Sequence, residues 1–155
     1  MANNVTPLLT SLLACLCTQL VTDGNPACQC CVVVSDELPP MTGCDCVCEN
    51  GQGVAWARFV SASFQQSELS KCPIGPWQVT LQLGVYRCIN SEPTCETTTA
   101  EADSVAEDLA SLQRAVSCCP AMGGKRYTLG SANVIGPSGG CVGASIEVVL
   151  ELGSL

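Results

Sequence analysis

The sequence predicts an α/β fold of the α+β kind, built around a strand, a helix and a further strand. Three stretches carry that prediction. Trp77–Ile89, WQVTLQLGVYRCI, places Val79, Leu81, Leu83 and Val85 on one side and Gln78, Thr80, Gln82 and Tyr86 on the other; a period of two marks a strand with one buried face. Thr98–Cys118 carries Val105, Leu109, Leu112 and Val116 at helical spacing. Ser145–Leu152 alternates again, with Ile146, Val148, Leu150 and Leu152 inward and Glu147 and Glu151 outward. Everything upstream is expected to pack on this strand–helix–strand core. The 155 residues are an ordinary size for one domain, so 1–155 is read as a single unit.

The other elements follow in chain order. Thr6-Pro7 opens a first helix, with Thr6 as N-cap and Pro7 at the first helical position. Leu8, Leu9, Leu12, Leu13, Leu16 and Leu20 give it a broad apolar face, and Asp23-Gly24-Asn25-Pro26 stops it. Ala27–Ser35 is a short apolar, β-branched run that reads as a buried strand. Pro39-Pro40 makes the next segment a loop. Cys44–Cys48 and Val54–Phe64 read as strands around an Asn50-Gly51 hairpin turn; Val54, Trp56, Arg58, Val60 and Ala62 share one face of the second. Gln65–Pro76, QQSELSKCPIGP, holds too few large apolar residues to pack by itself and reads as a loop that carries function. Thr98 and Glu101 fit a capping box at the start of the second helix. Its first turns carry Glu101, Asp103, Glu107 and Asp108, which suit the positive helix N-terminus and form an acidic face. Tyr127–Val134 reads as a short strand, and Gly136–Gly140 as a tight loop.

Composition excludes several kinds of function. Six Lys plus Arg stand against fourteen Asp plus Glu, a net charge of -8. That is the wrong sign for a surface that grips phosphates. The apolar N-terminal stretch has no basic residue before it and is shorter than the roughly 20 apolar residues of a membrane span; neither export nor a membrane is expected. The chain has no His, so a Cys–His or Ser–His–Asp nucleophile cannot be assembled. Gly136-Pro-Ser-Gly-Gly140 lacks the GK[ST] ending of a phosphate loop and precedes a strand. No enzyme activity and no cofactor are expected.

Fourteen Cys are many for this length. Cys28, Cys30, Cys44, Cys46 and Cys48 fall in CxC arrays rather than the CxxC knuckles of structural zinc sites. In strands, Cys44, Cys46 and Cys48 point to one face and could meet Cys28 and Cys30 across a strand pair. Buried thiols, disulfides and a zinc site all remain open at this point; a Cys-rich thiol or metal protein is one of the readings weighed.

The order of elements, with CQCCVVV, VAWARFV, PIGPWQVTLQLGVYRCI, RAVSCCPAM and GPSGGCVGASIEVVLEL, resembles the small neck proteins of long-tailed phages of actinobacteria. Among them it is most similar to the tail terminators. The resemblance spans nearly the whole chain, and PWQVTLQLGVYRC and GPSGGCVG are its most specific parts. It implies a mainly antiparallel sheet with two helices packed on one face, in a virion protein, assembled in the host cytoplasm, that forms a six-subunit ring on the tail tube and meets the head connector, with DNA passing through unbound. The head-completion or stopper proteins of the same necks are the alternative. Leu69, Lys71, Ile74 and Trp77 are then the expected subunit or tube interface. Glu101, Asp103, Glu107 and Asp108 are expected to face either the channel or solvent, where negative walls let phosphates slide.

Overall fold

A computed structural model describes residues 4–33, 47–64, 76–89, 92–138 and 140–153. Helix α1, Val5–Thr22, begins earlier than Thr6 predicts. Asn4 takes the N-cap position, and Thr6 and Pro7 lie inside the first turn, where a missing N–H costs nothing. Its buried face is Val5, Leu8, Leu9, Leu12, Leu13, Leu16 and Leu20. The helix is long and apolar enough to cross a membrane by length and composition, with a mean hydropathy of 1.6, but these seven residues are packed into the core.

Five strands make the main sheet, in the order β1 (Gln29–Val33), β4 (Val54–Phe64), β5 (Trp77–Cys88), β7 (Cys141–Leu152) and β6 (Tyr127–Ser138). β1 runs parallel to β4, and the other pairings are antiparallel, so the sheet is mixed. A two-residue ladder, β2 (Val47–Cys48) with β3 (Gly51–Gln52), stands apart. Its turn is Glu49-Asn50, one residue before the predicted one, because Gly51 presses so closely on the Pro26 carbonyl that a Cβ there would collide with it.

Helix α2, Cys95–Cys118, also starts a turn early. Thr94, just after Pro93, is the N-cap: its hydroxyl accepts from the Thr97 amide at 3.2 Å, and its own amide donates to the Thr97 hydroxyl at 2.8 Å. This capping box replaces the predicted Thr98–Glu101 one. A short 3-10 turn, Pro120–Met122, leads to β6.

Both helices lie on one face of the sheet. Val79, Leu81, Leu83 and Val85 of β5 and Ile146, Val148, Leu150 and Leu152 of β7 meet the helices' apolar stripes in one core. Two predictions about strand faces are corrected. β1 is exposed along most of its length rather than buried, because among the described residues it ends the sheet and has a neighbour on one side only. In β4 the register shifts between Phe59 and Ser61; the extra residue reverses the alternation, so Ala62 joins the helix-side core instead of sharing a face with Val54 and Trp56. Farther on, β6 extends to Ser138 and so takes in the first three residues of the predicted Gly136–Gly140 loop. Pro137 fits there because an edge strand needs no outward amide bond.

Candidate assembly surface and the corner that braces it

The sheet has two edges, and both are chemically plain. Among the described residues β1 pairs with β4 alone and β6 with β7 alone. Neither QCCVV nor YTLGSANVIGPS contains a charged residue. Edge strands of proteins that work alone usually carry Lys or other charges that stop another chain from pairing. Here exposed apolar side chains stand on both, Val32 at 37% and Val134 at 62% exposure. β6 has register shifts between Leu129 and Ala132 and between Ile135 and Ser138, which leave Ala132–Ile135 as its regular central segment.

The opposite layer is braced by one arginine. Arg87 follows Val79–Val85 in phase on β5, so its side chain enters the helix-side core, where it is 2% exposed. Its guanidinium finds an acceptor for every donor group. Nε donates to Asp108 Oδ2 at 2.9 Å and Nη2 to Asp108 Oδ1 at 2.8 Å. Nη2 also donates to the Asn25 carbonyl at 2.7 Å, and Nη1 to those of Gln52 and Pro26 at 2.6 and 3.2 Å. Asn25 Nδ2 donates to Asp108 Oδ1 at 3.2 Å. One side chain thus ties β5 to α2, β3 and the corner after α1.

That geometry corrects the predicted acidic face. Asp108 is 1% exposed and faces neither channel nor solvent. It stands three residues after Val105 and four before Leu112, in phase with the apolar stripe. A charge in phase with apolar residues on both β5 and α2 was the available signal for the pair. Glu101 is half-buried, while Asp103 and Glu107 are exposed. A second, outer tie joins Asp23 to Arg114 at 2.8 Å and to Ser111 Oγ at 2.6 Å. Those two bonds, set against partial desolvation, hold the Asp23 carboxyl down at about 2.

Disulfides fasten the same region. Cys15–Cys119, Cys17–Cys30 and Cys28–Cys48 have Cα separations of 5.7, 6.6 and 5.7 Å, all within the range a bridge spans. Of the five cysteines singled out by sequence, Cys28, Cys30 and Cys48 are bridged; Cys44 and Cys46 lie outside the described residues. Cys15, Cys17 and Cys119 were not anticipated, since their partners come from distant elements. Cys141 is also disulfide-bonded, and Cys31, Cys95 and Cys118 are exposed and unbridged. Among the described residues no three His, Cys, Asp or Glu side chains converge as a metal site would require.

The other face of the sheet is not the polar surface that the alternation of β5 predicts. Trp56, Tyr86 and Cys141 form a second buried cluster. The indole lies over Gly84, where a Cβ would strike its ring, and stacks near Tyr86 with centroids 5.9 Å apart. Arg58 covers the indole at 5.8 Å and donates from Nε to Gln82 Oε1 at 2.8 Å; Gln82 in turn donates to Ser145 Oγ at 3.1 Å. Trp56 Nε1 and the Tyr86 hydroxyl are buried without a hydrogen-bond partner among the described residues. Burial pushes the Tyr86 hydroxyl up to about 12, although the positive Arg58 pulls the other way. Trp77, at the far end of β5, is half-buried against Phe64, with ring centroids 5.0 Å apart. Leu69, Lys71 and Ile74, the rest of the predicted interface, lie outside the described residues. An open groove of about 470 Å³ runs between α1 and the end of β7, with Lys125 as its charged lining residue.

No protein-family model and no curated protein matches this chain. A solved structure from Akkermansia muciniphila, described as being without its transmembrane region, is similar at 10% identity over 92% of this chain and 80% of that one, with a TM-score of 0.28. A likeness of that size carries no argument about fold or function.

Proposed function

We propose that this chain is a structural ring component of a phage neck, a tail terminator that caps the tail tube and joins it to the head connector. The observation that supports assembly is the sheet itself, whose two edge strands are uncharged and, among the described residues, unpaired on their outer sides; the sequence resemblance supplies the particular role. Subunits meeting laterally through their edges satisfy each other's backbone groups, and a closed ring leaves its two faces free to differ. One face can then match the last tube ring while the other refuses a further one. The net charge of -8 suits a channel that DNA crosses without sticking. Removing the protein from the phage should give filled heads without tails and tubes of uncontrolled length. Tube lengths measured by electron microscopy decide it: a narrow, wild-type distribution rejects the terminator and favours a stopper.

The three bridges favour a second reading, a disulfide-stapled binding module of an oxidising compartment. Thiol counting on the protein from freshly lysed, alkylated cells separates the two. Bridges already closed inside producing cells of reducing cytoplasm argue against formation after release; open thiols there, closed in the particle, support the virion reading.

A further inference from the structure

The two edges of the sheet correspond in a way that goes beyond their being open. Following the backbone partners across the sheet, Gln29 aligns with Val54, Tyr86, Gly143 and finally Ile135; Cys30 leads through Ala55, Val85 and Ala144 to Val134. Cys31 leads through Trp56, Gly84 and Ser145 to Asn133, and Val32 through Ala57, Leu83 and Ile146 to Ala132. The regular segment of β6 therefore stands at the same level as β1, at the opposite end of the same hydrogen-bonding rows. Direction matches as well. β1 and β4 run one way, β5 the other, β7 back and β6 the other again, so β1 and β6 are opposed.

From this geometry we infer that the lateral partner is a second copy of this chain, and that Ala132–Ile135 of one copy pairs antiparallel with Gln29–Val32 of the next. This rests on the ring reading and specifies its contact. A copy placed beside the first in the same orientation continues the alternation of β5, β7 and β6, in the more stable antiparallel pattern. The rows do not climb between one edge and the other, so the contact adds no shift along the strands, and a head-to-tail contact of this kind makes a ring when the rotation between copies closes. Side chains agree too. Ala132 and Val134 share the helix-side face with Ile146 and Ala144, and Cys30 and Val32 share it with Ala55 and Ala57. Exposed Val134 of one copy is thereby covered by Val32 and the Cys17–Cys30 bridge of the next. On the other face Asn133 comes opposite Cys31, an exposed and unbridged thiol. The alternative of two β6 edges meeting about a two-fold axis would leave β1 bare on both copies.

The test uses that last pair. Asn133→Cys in the full chain, treated with diamide, should form a covalent ladder. The thiol introduced by Asn133→Cys and the Cys31 thiol of the neighbouring copy give up two protons and two electrons, which reduce diamide to its hydrazine, and a disulfide forms between the copies. The ladder should end at the ring size and vanish when Cys31→Ser is added. Failure to form a ladder overturns the contact, and so does a dimer that persists with Cys31→Ser when Cys95→Ser and Cys118→Ser are also present, since that is the two-fold arrangement. Independently, Val134→Lys, checked for native circular dichroism, should sediment at least tenfold less associated than wild type. Intact rings from both variants, uncrosslinked, would overturn this interface and leave the ring reading standing. A wild-type chain that stays monomeric at about 1 mM, where even weak contacts are populated, would overturn both.

Discussion

Among the described residues two ion pairs fasten α2 to its surroundings, and both close at 2.8 Å. Arg87–Asp108 is 2% and 1% exposed; Arg114–Asp23 is 50% and 22% exposed. Distance alone does not rank them. At the exposed pair, water replaces whichever partner is lost and screens the attraction that remains. At the buried pair, losing one partner strands a charge in the core, and the loss spreads because Arg87 also holds three backbone carbonyls. The lesson is that a fastener is worth what its removal leaves unpaired.

The largest effect follows directly. Asp108→Ala should cost about 3–5 kcal/mol in urea unfolding, because Arg87 keeps its charge without a counter-ion. Simple buried pairs often tolerate replacement of both partners by apolar residues. This one should not. Arg87→Met with Asp108→Leu removes both charges but abandons the Asn25 and Gln52 carbonyls, each costing about 1–3 kcal/mol when buried without a donor, while the Pro26 carbonyl keeps the Gln52 amide. Full recovery in the double variant would break the distinction drawn here.

A covalent tie spans the same layer. Cys15–Cys119 joins α1 to the residue after α2 across a separation of 104 residues. Replacing both by Ala should cost about 2–4 kcal/mol, measured against the oxidised wild type. The loss should add to that of Asp108→Ala if the two sites are independent, and fall short of addition if the bridge positions α2 for the ion pair.

The Trp56–Tyr86 cluster supplies a third case, burial with nothing paired. Tyr86→Phe removes a hydroxyl that has no hydrogen-bond partner among the described residues, so it should leave stability unchanged or raise it by about 1 kcal/mol. Its pH signature has a fixed sign. The folded protein holds the Tyr86 proton up to about 12, against 10.0 ordinarily. That contribution is complete below about pH 10 and is lost as pH rises through about 12. The alkaline loss should therefore be smaller in Tyr86→Phe than in wild type; equal slopes would mean the hydroxyl is solvated.

These contrasts separate what single-element patterns reveal from what they hide. The bounds of β4 and the inward residues of β5 and β7 are legible because one strand's period carries them. The Arg87–Asp108 pair hides because each half, read alone, is a charge on an amphipathic element, and only their shared phase with the apolar residues betrays it. β1 misleads for a different reason: an apolar run has the same composition whether it lies in the centre of a sheet or at its edge. The cysteine pairs need the third dimension altogether, since α1 must be folded over β1 and beside α2 before Cys17 meets Cys30 or Cys15 meets Cys119. Gly84 and Trp56 belong to different strands, so the aromatic cover of the second face is invisible to alternation along β5.

The smallest effect belongs to the exposed pair. Asp23 has its carboxyl lowered from 3.8 to about 2 by Ser111 and Arg114. A lowered acid stabilises the fold above its unfolded value, so the contribution is complete above about pH 4 and disappears as pH falls through about 2. Because Arg114 is half exposed, solvent screening limits the whole term to about 1 kcal/mol or less. Asp23→Asn should thus cost no more than that at neutral pH, with the difference from wild type closing between about pH 4 and 2. If Asp23→Asn proved costlier than Asp108→Ala at neutral pH, exposure would not be what sets the worth of these pairs. The ranking would then have to come from the Ser111 hydrogen bond, and Ser111→Ala should reproduce the loss.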